Sequence, residues 1–183
     1  MTSGAVPNYA KRDRYARAHE RLSLALDHGF YIEAAMICES IISDRLHSHL
    51  HWRVVTAQHL TLDQLVARLA ADKQFRNSPP RFSLEKSCTL AVLIAAMRLD
   101  FDDFGKEAYV KLPSRLDRWR DQRNKITHNV IYTVPTSKTY AEEFGQFMAL
   151  AQACAEDGKQ LTAHLSNWDK LVRRRHGKVS HGG

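Results

Sequence analysis

Apolar residues recur every three or four positions along most of the chain, the period of an amphipathic helix that packs against a core. Alternation of single apolar and polar residues, which is typical of strands, is almost absent. The chain therefore predicts an all-α protein, an up-and-down bundle of about five or six helices. One such stripe comprises Ile32, Ala35, Ile42, Leu46 and Leu50.

Capping residues and chain breaks set the expected limits of these helices. Thr61 and Thr139 each stand three residues before a glutamine or glutamate, the capping-box pattern that opens a helix. Ser83 is the expected N-cap of a strongly apolar helix, and Gly29 suits the position that follows the first helix. The expected helices cover residues 10–26, 32–53, 61–72, 83–99 and 113–130, followed by a long helix that opens at residue 139.

Length and composition favour one soluble globular domain. The chain has 183 residues, of which 44% are hydrophobic and 26% are charged. We expect a single helical domain over residues 1–175 and a basic, disordered tail over residues 176–183. No apolar run approaches the roughly 18 residues of a membrane span, and no secretory signal is visible. Three scattered cysteines are typical of a reducing compartment, so the expected location is cytoplasmic, with no membrane partner.

The positive charge is uneven along the chain. Most of the net charge of +7 lies at the two ends, but one internal segment, residues 111–128, which includes most of the expected fifth helix, is also basic. A basic helix surface attracts the phosphates of nucleic acids, although a solvated helix face has the same composition. The segment carries two acids, Asp117 and Asp121, against the bases Lys111, Arg115, Arg118, Arg120, Arg123 and Lys125.

Two charged residues interrupt apolar stripes. Arg123 occupies the position between Trp119 and Ile126 on the inward face of the fifth helix, and Glu39 occupies an inward position on the second helix. A buried charge without a partner is very costly, so each residue needs an opposite charge. We therefore expect Glu39 and Arg123 to pair with each other.

A short motif on the fifth helix carries a family resemblance. The segment Arg123-Asn124-Lys-Ile-Thr-His128 has the form R-N-x-x-x-H and lies late in a helical bundle. In this it resembles the HEPN superfamily, named for higher eukaryote and prokaryote nucleotide-binding domains. The resemblance implies a metal-independent endoribonuclease that acts as a homodimer, common in toxin–antitoxin and phage-defence systems. It further implies that Arg123 and His128 are catalytic and that Asn124 supports them.

Elementary chemistry agrees with this interpretation. RNA supplies its own nucleophile, the 2′-hydroxyl, so cleavage needs a base, an acid and a cation at the phosphate. Histidine suits acid–base work near neutral pH, and arginine binds phosphate while staying charged. Neither a metal nor a cofactor is expected, and the partners implied are RNA, a second copy of the chain, and an antitoxin or other regulatory protein. The expected supporting residues are Glu39, Asp121 and Arg120, and the expected RNA contacts are Arg118 and Lys125.

Two alternatives to the enzyme stay open. The first is a non-catalytic HEPN-like module that dimerises, binds nucleotide or nucleic acid, and serves as a scaffold. The second is a helical DNA-binding regulator, for which no short helix–turn–helix spacing is evident. Four histidines also cluster near the end of the second helix, namely His47, His49, His51 and His59. His47 and His51 are four residues apart and could share a zinc ion, but no cysteine or acidic ligand stands at metal spacing, so a solvated helix end is the simpler interpretation.

Overall fold

A computed structural model describes residues 8–75, 81–85, 88–104, 109–129 and 139–176. The described residues form six α-helices and no strand, which confirms the all-α prediction. A single π-helical turn follows the second helix, at Trp52–Thr56, and a 3₁₀ turn follows the third, at Lys73–Phe75. The helices are α1 (Asn8–Asp27), α2 (Tyr31–His51), α3 (Leu62–Ala71), α4 (Leu90–Phe104), α5 (Leu112–Asn129) and α6 (Tyr140–His176).

Helix α2 lies at the centre of the bundle and packs against α1, α4 and, most extensively, α6. The Cys38 thiol donates to the carbonyl of Ala155 at 3.9 Å, and His49 meets Asp169 further along, so α2 and α6 run parallel. Gly29, with φ +72°, lets the chain reverse between α1 and α2. Apolar side chains of all six helices form one continuous core.

A glycine brings three helices close together beside the candidate site. Gly158 of α6 faces Trp119 and Cys38, and a Cβ atom at this position would lie 2.9 Å from the Trp119 Nε1 atom. The missing side chain allows the fully buried Trp119 indole to donate to the carbonyl of Cys154 at 2.8 Å. This contact fixes the rotation of α5 against α6, and with it the direction of every side chain on α5.

The capping signals predict two helix starts correctly. Thr61 and Gln64 form a reciprocal capping box at the start of α3, with backbone-to-side-chain distances of 3.0 and 3.2 Å. Thr139 and Glu142 make the same contacts at the start of α6. This helix continues to His176, and the rest of the expected tail lies outside the described residues, as do the expected break at residues 134–136 and the loop at 77–80.

Both expected limits of the fourth helix are wrong, since it also continues to Phe104 beyond the expected end at residue 99, and the second helix ends two residues earlier than expected. The apolar fourth helix begins at Leu90, not after Ser83, because the Ser83 hydroxyl accepts from the Glu85 backbone only two residues ahead. The Cys88 thiol then donates to the Ser83 carbonyl at 3.3 Å, which closes a turn in place of the first helical turn. Helix α2 ends at His51, where the π-helical turn widens the backbone. No helix within the described residues is both long and apolar enough to cross a membrane.

Candidate functional site

Glu39 and Arg123 form an ion pair between α2 and α5, as the interrupted apolar stripes predict. The two side chains are 28% and 16% exposed, so the pair is largely shielded from solvent. Pairing lowers the cost of placing each charge on an otherwise apolar helix face. Burial lowers the pKa of the Arg123 guanidinium, yet an arginine remains protonated in proteins, so Arg123 keeps its charge.

The pair lies in the wall of an open cleft of about 510 Å³ between α5, α2 and the beginning of α4. This volume falls in the range of small-molecule sites. The Nε atom of Arg123 is buried and has no hydrogen-bond partner among the described residues. Glu39 therefore does not accept from all of the donors of the Arg123 guanidinium. The cleft is lined by Glu39, Ser43, Gln74, Cys88, Thr89, Leu90, Ala91, Arg120, Arg123 and Asn124.

Arg120, the second cation of the cleft, is held by its own helix. Its guanidinium pairs with Asp117 at 3.2 Å and with Asp121 at 2.9 Å. Asp117 also accepts from Arg98 of α4 at 3.1 Å, and Arg98 reaches Asp72 at 2.7 Å. This chain of alternating charges ties α3, α4 and α5 together on one side of the cleft.

Gln74 reaches the cleft from the 3₁₀ turn that follows α3. Its backbone N–H donates to the Asp72 carboxylate at 2.9 Å, and Asp72 is in turn anchored to Arg98. The Gln74 N–H, together with the Arg98 guanidinium, holds the pKa of Asp72 below its ordinary value. The turn that carries Gln74 is thereby fixed to α4 across the cleft from α5.

His128 is exposed and does not line this cleft. It lies one turn beyond Asn124 on the same side of α5, whereas Arg123 lies about 140° away around the helix axis. The structure therefore brings Glu39, Arg120, Arg123 and Asn124 together in one cleft and leaves His128 outside it. Asp121 lies behind Arg120, as its partner and not in the cleft wall.

The predicted RNA contacts, Arg118 and Lys125, are both exposed on the outer face of α5. The other basic side chains of α5 are largely neutralised. Arg115, for example, donates to Asp157 at 2.7 Å and to His164 at 3.0 Å on α6. The basic side chains of this helix thus form two groups, one paired with carboxylates near the core and one exposed on the outer face.

The histidine cluster is not the solvated helix end that the sequence suggests. His49 is fully buried, and its Nδ1 atom lies 2.8 Å from Asp169 of α6. Its ring packs 4.3 Å from the Trp168 ring, and Arg173 also donates to Asp169, at 2.9 Å. His51 is exposed, and His47 is partly buried. No group of three or more potential metal ligands occurs among the residues that the structure describes.

Sequence reasoning missed this buried polar cluster, which joins α2 to the far end of α6. The available signal was weak: an aspartate directly follows a tryptophan of the apolar stripe and precedes an arginine by four residues. The spacing of Asp169 and Arg173 is equally typical of an exposed helix pair. The histidine that completes the cluster lies 120 positions away in the sequence.

The chain matches no protein-family model, no curated protein and no solved structure. The resemblance to the HEPN superfamily therefore depends on the Arg123–His128 motif and on its setting late in a helical bundle. Any function assigned to the cleft has to be argued from its own residues.

Proposed function

We propose that the chain is a metal-independent endoribonuclease of the HEPN type. One observation carries the proposal: Arg123 and Asn124 line an open cleft, and the exposed His128 lies on the next turn beyond Asn124. An imidazole and a cation are the groups that cleavage of RNA by its own 2′-hydroxyl requires, and here both are carried by one helix.

The proposed reaction needs only the substrate and these side chains. An imidazole removes the proton of the 2′-hydroxyl, whose oxygen attacks the adjacent phosphorus. The bond from phosphorus to the 5′-oxygen breaks, and a protonated imidazole donates a proton to that oxygen. Arg123 stabilises the charge that develops on the phosphorane oxygens. The products are a 2′,3′-cyclic phosphate and a free 5′-hydroxyl.

A second copy of the chain completes this proposed site. Arg123 faces Glu39 on the inner side of α5, whereas His128 faces outward, so one chain does not present both groups to a single phosphate. A twofold dimer brings His128 of one chain to Arg123 of the other, and this histidine takes the 2′-hydroxyl proton as base and returns it to the 5′-oxygen as acid. The exposure of His128 supports an intermolecular site.

The biological role proposed with this activity is that of a toxin or phage-defence effector. Such an enzyme needs control by an antitoxin or another regulatory protein. We expect production of the wild-type chain in a bacterial host to arrest growth and His128→Ala to abolish the arrest. Growth arrest by both proteins at equal levels would argue against a role for RNA cleavage in toxicity.

A second candidate function, the non-catalytic scaffold, draws on the Glu39–Arg123 pair. A cation that is already neutralised and largely buried serves to join α2 to α5, with no need of a substrate. In this case Asn124 and His128 belong to a solvated helix surface. The two candidates differ in what His128→Ala does to RNA cleavage.

The deciding experiment is RNA cleavage in excess EDTA by the wild type, His128→Ala and Arg123→Ala, after circular dichroism shows that all are folded. The matched control is His19→Ala, because Arg14 and His19 repeat the arginine–histidine spacing on α1 and His19 is also exposed. Cleavage by the wild type and the control alone, with cyclic-phosphate ends, supports the enzyme. Equal cleavage by all four proteins removes His128 from the mechanism, and no cleavage by any favours the scaffold.

A further inference from the structure

The cations of α5 differ in how their charge is balanced. Arg115, Arg120 and Arg123 each contact a carboxylate, and Arg120 contacts two. Lys111, Arg118 and Lys125 are exposed, and no carboxylate within the described ranges lies at ion-pairing distance from them. The second group therefore offers unbalanced positive charge to the phosphates of the strand beyond the one that Arg123 is proposed to contact.

Arg118 and Lys125 are seven residues apart, about two helical turns, so they share one face of α5 at a separation of about 10.5 Å along the helix axis. Lys111 lies seven residues before Arg118 and directly precedes the helix. We call Lys111, Arg118 and Lys125 the cation stripe. It leads along the outside of the helix toward His128, which is three residues beyond Lys125. A line of this kind fits a phosphate backbone, whose charge repeats along one direction.

The cleft has a different character. Its arginines are balanced by Glu39, Asp117 and Asp121, so a phosphate inside it would face carboxylates as well as guanidinium groups. The rest of the wall is uncharged and combines polar residues such as Ser43 and Gln74 with the apolar Leu90 and Ala91. Such a wall suits a flat, polar, uncharged group, as the edge of a nucleobase is.

We propose that the cleft receives one unpaired base of the RNA while the cation stripe binds the phosphates outside, and that Gln74 determines base specificity. The inference rests on the proposed function in that it takes RNA as the ligand. It makes Gln74 a specificity-determining residue, because its amide offers both a donor and an acceptor from a turn that is anchored through Asp72 to α4.

The test separates base recognition from phosphate binding. Fully 2′-O-methylated oligonucleotides lack the nucleophile, so their binding is measured without cleavage. Binding of the four homopolymers to the full chain is measured over a series of salt concentrations, and each is compared with a duplex. We expect the wild type to prefer single strands and to discriminate among the four bases. Gln74→Ala is expected to abolish most of that discrimination while leaving the salt dependence unchanged, because base contacts release no counterions.

The double variant Arg118→Gln/Lys125→Gln is expected to reduce the salt dependence of binding and to keep the discrimination among bases. The slope of log affinity against log salt should become shallower by about 1.4, at roughly 0.7 for each lost phosphate contact with a single strand. Base preference should be retained. Gln160→Ala and Lys170→Gln, which change exposed residues of α6, are the matched controls and should alter neither property.

Each outcome decides the inference independently of the enzyme. Equal affinity of the wild type for all four bases, an unchanged preference in Gln74→Ala, or an unchanged slope in the double variant would each overturn it. Base-selective binding without cleavage of ordinary RNA in EDTA would remove the proposed enzyme and leave the inference standing. Cleavage without base-selective binding would overturn the inference and leave the proposed enzyme standing.

Discussion

The Arg123 guanidinium contacts the Glu39 carboxylate across the interface of α2 and α5, so the cation of the candidate site is positioned by another helix. The two side chains are more buried than those of Arg21 and Glu33, which pair on the surface at 3.2 Å with 70% and 50% of their area exposed. Because solvent screens the surface pair, the two contacts should differ in energy although their chemistry is the same.

A double-mutant cycle tests this difference. Glu39→Ala and Arg123→Ala should each lower the free energy of unfolding by roughly 1 to 3 kcal/mol, because each leaves a largely buried charge without its partner. Their coupling energy, measured by urea denaturation, should be on the order of 1–2 kcal/mol. The same cycle on Arg21 and Glu33 is the control and should give a value close to zero. Equal coupling in both cycles would show that burial does not strengthen the inner pair.

Mixing two inactive variants tests whether the proposed site lies between chains. Arg123→Ala and His128→Ala are each expected to be inactive in RNA cleavage. If Arg123 of one chain acts with His128 of another, a mixed dimer holds one intact site, so unfolding and refolding the variants together should restore on the order of a quarter of wild-type activity. Variants that are refolded separately and never exchanged are the control. A folded mixed dimer with no restored activity would mean that Arg123 and His128 act within one chain, or that cleavage requires both arginines and both histidines of the dimer.

The sequence predicts the helices because each one buries an apolar stripe, and the period of that stripe is visible locally. It predicts the Glu39–Arg123 pair for a related reason, since a charge that interrupts a stripe has to find an opposite charge. His49 gives no such signal. Its burial depends on Asp169, a residue far along the chain whose position is decided by how α2 and α6 pack.

The start of α4 is unpredictable for a different physical reason. Thr89 caps α4, because its hydroxyl accepts from the Val92 N–H at 3.5 Å. Ser83 is as good an N-cap by residue type, and the sequence between the two does not exclude a helix. The choice depends on the turn in which Ser83 accepts from Glu85 and the Cys88 thiol donates back to Ser83. Because α4 begins at Leu90, its first residues line the cleft instead of covering it.

The buried cluster around Asp169 predicts a loss of stability in acid. Burial raises the pKa of Asp169, but hydrogen bonds from His49 and Arg173 outweigh it and hold the pKa below its ordinary value. A carboxyl group with a lowered pKa stabilises the folded state above the ordinary value near 3.9, and this stabilisation is lost as the pH falls through the folded-state pKa. Asp169→Asn should therefore be less stable near neutral pH and lose less stability between about pH 5 and pH 2.

Urea denaturation at a series of pH values measures this effect. The control variant is Asp27→Asn, which changes an exposed residue at the end of α1 and should keep the pH dependence of the wild type. If Asp169→Asn loses stability in acid as steeply as the wild type, the stabilisation assigned to the ionised Asp169 carboxylate does not exist.

Two glycines of α6 predict opposite effects of the same substitution. A Cβ atom at Gly158 would lie 2.9 Å from the Trp119 Nε1 atom and 3.0 Å from the Cys38 Cβ, and both of these side chains are fully buried. Gly158→Ala should therefore destabilise the protein by roughly 1–3 kcal/mol, even though alanine favours a helix by about 1 kcal/mol. At Gly145 no atom lies within 4 Å of the added Cβ, so Gly145→Ala should stabilise by up to about 1 kcal/mol. Thermal and urea unfolding of both variants tests this, since helix propensity alone would make both more stable. A stabilised Gly158→Ala variant would mean that α5 and α6 do not approach as closely as the Trp119 contact requires.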